Sequence, residues 1–476
     1  MSALSNARWV AVGQAARVGV QVLGLIFLAR ILSPGDFGLV AMATVVANFA
    51  NLVRDLGTAS AVIQRETLDE VTKNTAYWFS LGTGSLLGLS IALLAPVLSA
   101  AFKAPELTGI FVVLSLTFPI ASAASVHQAL LERDSQFKLV ARIESVSGVA
   151  GLVIAIVLAN AGAGAYSLVA QTVIAAAMST VQLWLASKWR PRWQWSGEAL
   201  GSIWKFSGNL AAFNFVNYFS RNADSMIIGR FLGAGALGAY SLAYRLMLFP
   251  LQNLTIVASR ALFPVMSRQQ GAISEMANLY LRTLLIIATV TAPMMAGLFA
   301  LRDVFVPVVL GSQWLETIDI VAWLAPVGFI QSLVSTVGTV FMARGRTDIL
   351  FRLGVFSAVL QIAAFFIGMR WGVVGVAACY FVANVINAMP CLGMALRLVN
   401  RRIFDLLVSI WLPVAAALVM AGTLTILKHE ALVQTLPGTL QLILLIAAGT
   451  LVYGALIATF ARASSKELLL LVLKRT

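Results

Sequence analysis

The sequence predicts an all-α polytopic membrane protein of about 14 transmembrane helices, arranged as two parallel six-helix repeats plus two extra C-terminal helices. Three observations carry this. First, 60% of the 476 residues are hydrophobic and only 11% are charged, too little charge to cover a soluble surface of this size. Second, apolar runs of roughly 18–25 residues recur between short charged turns, the length a helix needs to cross a bilayer. Third, the chain resembles itself at an offset of 200 residues: Arg30, Leu32, Gly35 and Gly38 recur as Arg230, Leu232, Gly235 and Gly238.

In chain order the predicted spans are 9–30, 37–53, 75–101, 108–131, 139–160, 164–187, 206–229, 237–259, 281–301, 318–342, 349–369, 372–396, 404–427 and 438–461. The first, starting near Trp9, is too long and too interrupted by polar residues for a cleavable signal peptide. Of the 33 Lys+Arg, only Arg30, Lys103, Arg230, Arg302, Arg370 and Lys428 fall in the loops after odd-numbered spans, while Arg17, Arg221 and Arg245 lie inside spans. The remainder occupy the alternate loops and the two ends of the chain. The positive-inside rule therefore places both termini in the cytoplasm. The net charge of +14 is spread over those loops as a topology signal, not gathered for nucleic acid. Loops are short; Gln64–Lys73, Ser267–Tyr280 and the tail Ser464–Lys474 are read either as short helices lying at the membrane surface or as ordinary connecting turns.

The repeat extends along the chain. Ala43/Ala243 and Phe49/Phe249 keep the 200-residue register, and after an insertion Arg133/Arg344, Leu139/Leu350 and Gly164/Gly375 follow at 211. The lobes are thus 1–199 and 200–400, followed by the extra pair in 401–462 and a cytoplasmic tail, 463–476. Both lobes start from the same side. Parallel duplication with a site between the lobes is a transporter architecture.

The candidate site follows from polar residues inside spans. Asn214, Asn217, Arg221 and Asp224 step by three, four and three residues, so they share one helical face. Gln14, Arg17, Gln21 and Gly24 hold the same positions in the first span. Intramembrane charge is costly and turns to a protein interior or a water-filled cavity. Two readings follow: a salt-bridged packing seam, or a cavity lining that attracts an anion such as a diphosphate through Arg17, Arg221 and Arg245. Asn48 and Asn51 share a face in the second span and join this set. Asp224 is read either as a site for a coupling proton or cation or as the ion-pair partner of Arg245. Phe213, Tyr218, Tyr240 and Tyr244 surround the set, as sugar-stacking rings or ordinary core. Gln361, Asn384 and Asn387 read as interhelical hydrogen bonders.

No phosphate-binding loop of the Walker type is present, and no loop is large enough to carry an extramembrane catalytic domain, so an enzyme is not expected. Cys379 and Cys391, twelve residues apart in one span, are ~18 Å apart along a helix and cannot bridge to each other. No metal-ligand cluster and no cofactor site are visible.

The pattern Leu28-Ala29-Arg30-Ile31-Leu32-Ser33-Pro34-Gly35-Asp36-Phe37-Gly38 resembles the polysaccharide transporter family. So do Arg54-Asp55-Leu56-Gly57, Ala61-Val62-Ile63-Gln64-Arg65 and Leu262-Phe263-Pro264-Val265-Met266-Ser267-Arg268. These motifs look like those of Wzx-type lipid-linked oligosaccharide flippases, in the superfamily that also holds multidrug extruders and lipid II flippases. The resemblance implies a V-shaped two-lobe bundle with a cationic cavity and alternating access. It implies an undecaprenyl-diphosphate-linked oligosaccharide as cargo, moved across the bacterial inner membrane for capsule, exopolysaccharide or O-antigen synthesis. Basic cavity residues of the family map onto Arg17 and Arg221, with Arg245 behind them. Partners would be the lipid-linked oligosaccharide, membrane lipids, and a polysaccharide polymerase with its chain-length regulator. The alternatives are a multidrug/cation antiporter of the same fold, disfavoured because the site holds more arginine than carboxylate, and a non-transporting scaffold of the assembly machinery.

Overall fold

Long apolar stretches separated by short turns become α-helix throughout the computed structural model, which describes residues 18–54, 62–63, 68–251, 262, 266 and 272–460, with the side chains of 199, 202–217, 219–221 and 250 left aside. Eleven segments among the described residues are long and apolar enough to cross a membrane. They fall into two units, Met1–Gly238 and Ala239–Thr476.

The first unit contains α1 (Val18–Ile31), α2 (Pro34–Arg54), α3 (Glu70–Phe102), α4 (Leu107–Arg133), α5 (Phe137–Asn160), α6 (Ala165–Ala186) and the start of α7 (Gly197–Pro250). The α1–α2 turn shows how little chain a reversal needs. Ser33 Oγ donates to Asp36 Oδ2 at 2.6 Å while the Asp36 amide donates to Ser33 Oγ at 3.2 Å. The Ser33 amide completes this reciprocal cap at 3.0 Å from the same carboxylate, and Pro34 opens the helix where its missing N–H costs nothing. On α3 the residues Leu86, Leu89, Leu93 and Val97 recur at helical spacing and are 65%, 58%, 70% and 64% exposed. An apolar stripe left open in this way is a lipid-facing surface.

Helix α7 carries the repeated turn. At Gly233 the backbone takes φ 88°, ψ 179°, a conformation that only glycine adopts without strain. The two predicted spans 206–229 and 237–259 therefore meet at a one-residue break. The same economy joins α10 (Thr347–Gly368) to α11 (Gly372–Leu398) through the 3-10 turn Met369–Trp371. The two hairpin turns related by the 200-residue offset touch each other reciprocally. A Cβ built on Gly38 would lie 1.7 Å from the Ala234 carbonyl oxygen, and one on Gly238 would lie 1.8 Å from the Pro34 carbonyl oxygen. Pro34 and Gly38 are the counterparts of Ala234 and Gly238, so the contact is its own image under the offset. Only glycine at both places lets the backbones approach this closely.

The second unit adds α8 (Ile273–Phe305), α9 (Ser312–Ala343), α10, α11, α12 (Ile403–Leu427) and α13 (Gly438–Phe460). One core of this unit gathers Met276, Tyr280, Leu284, Phe341 and Leu396, with α12 packed alongside through Leu406 and Ile410. Two expectations are corrected here. From Glu70 the chain is already in α3, and from Ile273 it is already in α8. Neither 70–73 nor 273–280 forms a separate surface helix, because Thr72, Asn74, Met276, Ala277 and Tyr280 are buried. The remainder of those two stretches, and the tail 464–474, lie outside the described residues.

Candidate functional site

The polar stripe lies in one uninterrupted stretch of helix, since α7 is helical from Gly197 to its break at Gly233. Asn214, Asn217, Arg221 and Asp224 therefore keep the common face that their spacing predicts. The side chains of Asn214, Asn217 and Arg221, and the residues Gln14 and Arg17, lie outside the described residues.

The described members divide by accessibility. Asp224 is 4% exposed, and its Oδ1 accepts the Ser225 amide at 2.6 Å and the Ser225 hydroxyl at 3.3 Å. Gln21, Asn48 and Arg245 are exposed. Arg245 stands about 18 Å along the helix from Gly233 at 1.5 Å per residue, toward the far end of the apolar stretch Asn222–Phe249. Tyr218 ties α7 to α2: its hydroxyl donates to the Val45 carbonyl and its ring packs 5.8 Å from Phe49. These contacts fasten the turn of α2 that bears Asn48 to the turn of α7 that bears Asn217.

In the second unit a polar and aromatic ladder continues from Arg245. Tyr240 stacks on Tyr244 at 5.8 Å, and Tyr244 lies 6.4 Å from Tyr380. Gln331 Nε2 donates to the Tyr380 hydroxyl at 2.7 Å and to Asn384 Oδ1 at 3.1 Å. Asn384 is thus the interhelical partner that its position predicts. Gln361 is not: its amide donates to Ser357 Oγ, four residues back in the same helix, at 2.9 Å. Gln331 and Tyr380 went unnoticed in the sequence, although a lone amide in the span 318–342 was the available signal.

A second feature is an apolar groove of about 600 Å³ where α8, α12 and α13 meet, lined by Phe249, Pro293, Met294, Met420, Ile446 and Thr450 among others. Its wall is held by Tyr453, whose hydroxyl donates to the Thr289 carbonyl at 2.8 Å. Both cysteines are free, Cys391 buried and Cys379 half-buried. Among the described residues no group of His, Cys, Asp or Glu is arranged to hold a metal.

Membrane-length helices with polar residues set inside them define a multi-pass membrane protein, and comparison with solved structures identifies its fold. A lipid II flippase MurJ in an inward closed conformation superposes with TM-score 0.73 at 16% identity, covering 95% of this chain and 98% of that one. An inward-facing multidrug resistance MATE family transporter follows at 0.60 and 15% identity, covering 81% and 94%. The chain belongs to the polysaccharide biosynthesis protein family, whose profile matches residues 27–319. Among its relatives are the lipopolysaccharide biosynthesis protein WzxC of Escherichia coli K12, 27% identical over 86% of this chain and 84% of that protein, and the teichuronic acid biosynthesis protein TuaB of Bacillus subtilis, 27% identical over 98% and 97%. The succinoglycan biosynthesis transport protein ExoT of Rhizobium meliloti is 27% identical over 98% and 94%.

Proposed function

We propose that this chain is an alternating-access flippase that moves an undecaprenyl-diphosphate-linked oligosaccharide from the cytoplasmic to the periplasmic leaflet of a bacterial inner membrane, supplying capsule, exopolysaccharide or O-antigen synthesis. The observation that carries this reading is Arg245: a charged residue that is exposed yet lies in the apolar stretch Asn222–Phe249 belongs to a water-accessible path, because lipid would expel it. Arg17 and Arg221, with Gln14, Gln21, Asn48, Asn214 and Asn217, are the residues assigned to the diphosphate, which such groups hold through charge-assisted hydrogen bonds. Asp224, buried in the same stripe, is the candidate for a coupling proton or cation.

The groove beside α12 and α13 suits the other half of such a cargo. Its wall is mostly aliphatic and aromatic, and its location among membrane helices matches a polyprenyl chain, which binds through buried apolar area. In this arrangement the chain has fourteen spans, two parallel sets of six in 1–199 and 200–400, an added pair in 401–462, and both termini in the cytoplasm. The break at Gly233 and the 3-10 turn at Met369–Trp371 separate the paired spans. The reciprocal Gly38–Gly238 contact supports the duplication.

The test is replacement of Arg17 and Arg221 by alanine in the source organism. Surface polysaccharide should fall in each variant at unchanged protein level. Undiminished polysaccharide would overturn the cavity assignment, and drug export that depends on the same arginines would favour the antiporter instead.

A further inference from the structure

At one end of the first unit, five cations from four consecutive elements border two adjoining cavities. Lys73 at the start of α3, Arg133 at the end of α4 and Lys188 after α6 line one of about 480 Å³. Lys138 and Arg142 at the start of α5 line the other, of about 450 Å³, and Asp134 and Gln136 belong to both. Asp134 is the one carboxylate among the described residues that line the two cavities, and Glu70 nearby is held by Lys73 at 2.8 Å, so the balance of charge is positive.

The trough has a built frame. Arg133 Nη1 donates to the carbonyls of Val62 at 2.9 Å and Ile63 at 3.3 Å. Trp189, a wall residue, donates its indole N–H to Glu70 at 3.0 Å. The segment that follows is fastened to α3: the Arg192 amide donates to Asn74 Oδ1 at 2.7 Å, the Ser196 amide to Thr75 Oγ1 at 3.0 Å, and Trp78 to the Arg192 carbonyl at 2.9 Å. On this rigid segment Trp193 and Trp195 are 83% and 56% exposed. Indoles left open at the ends of membrane-crossing helices settle at the level of the lipid headgroups, which fixes the depth of the trough beside them.

We propose that this trough is a binding site for the phosphate of an anionic glycerophospholipid headgroup in the leaflet it faces. A basic hollow at headgroup depth attracts anionic lipid, each cation adding to the affinity. The site goes beyond the transport reading and holds whatever the cargo is. It makes the membrane's own anionic lipid a ligand of the segment joining α6 to α7.

The test uses the purified full-length chain in neutral detergent, with phosphatidylglycerol, phosphatidylcholine and inorganic diphosphate as probes and native mass spectrometry as the readout. Phosphatidylglycerol should be retained in preference to phosphatidylcholine. Lys138→Gln and Lys188→Gln should each weaken retention about fivefold, while Lys138→Arg and Lys188→Arg keep it. Both lysines are exposed, and melting temperature without lipid checks that the variants fold. Equal retention by wild type and the double glutamine variant would overturn the proposal, leaving these cations as topology signals alone. Inorganic diphosphate bound as tightly as phosphatidylglycerol, and lost in the same variants, would equally overturn it in favour of a soluble phosphate site.

Discussion

Replacing Gly38 by alanine places a methyl group 1.7 Å from the Ala234 carbonyl oxygen, and replacing Gly238 places one 1.8 Å from the Pro34 carbonyl oxygen. Ordinary contact begins near 3.4 Å, so each substitution forces the two hairpins apart by about 1.6–1.7 Å. The obstacle in each case is backbone, which cannot swing aside as a side chain would. Overpacking against yielding neighbours costs about 1–3 kcal/mol, and a backbone obstacle puts these variants at the upper end, about 3 kcal/mol each. The double variant should cost clearly less than the sum, because a hairpin pair already separated for one methyl has made room for the other. Thermal unfolding of the purified chain in detergent measures this, with Gly82→Ala as control. Gly82 lies within α3 and a Cβ there meets nothing within 4 Å, so alanine should be neutral or stabilising by up to ~1 kcal/mol. A melting temperature for Gly38→Ala equal to that of wild type would refute the reciprocal contact, and strict additivity would refute the shared origin of the strain.

Other substitutions probe separate parts of the structure. Ser33→Ala removes one half of the reciprocal cap on α2 and should cost about 1 kcal/mol in the same unfolding assay; an unchanged melting temperature would count against the cap. His127 is fully buried among Tyr77, Trp184 and Trp189, and neither ring nitrogen has a hydrogen-bond partner among the described residues. His127→Phe should therefore be neutral or stabilising, and marked destabilisation would show that the imidazole has a role this packing does not reveal. Thr450→Trp fills the apolar groove from its exposed wall; polysaccharide export should drop while the amount of membrane-inserted chain stays constant, and full export would remove the groove from the cargo path.

Much of the architecture was legible because membrane helices advertise themselves. Apolar length marked the eleven membrane-length segments among the described residues, and Gly and Pro marked the turns at Ser33–Asp36 and Gly233. Positions on a helix were equally readable: Asn214 to Asp224 share a face because the helix runs unbroken through them. What spacing cannot supply is the partner. Asn74 and Thr75 fasten residues more than a hundred positions away, and Gln331 finds Tyr380 and Asn384 only once α9 lies against α11. Gln361 was misread for the same reason, since nothing local distinguishes an amide that reaches a neighbouring helix from one satisfied by Ser357 a turn below. Within the expected surface helices, 70–73 and 273–280 were misjudged through their polar residues; Asn74 and Tyr280 are buried polar groups with hydrogen-bond partners, which lets the membrane helix run on past the apolar stretch.

The most direct test of the central claim is translocation of an undecaprenyl-diphosphate-linked oligosaccharide in proteoliposomes containing the purified chain, with and without a proton or sodium gradient. The account predicts translocation well above that of protein-free vesicles, reduced about tenfold or more in Arg221→Ala, as expected for loss of a charge-assisted contact of about 1.5–3 kcal/mol. Translocation no faster than in protein-free vesicles, or undiminished in Arg221→Ala, would contradict it.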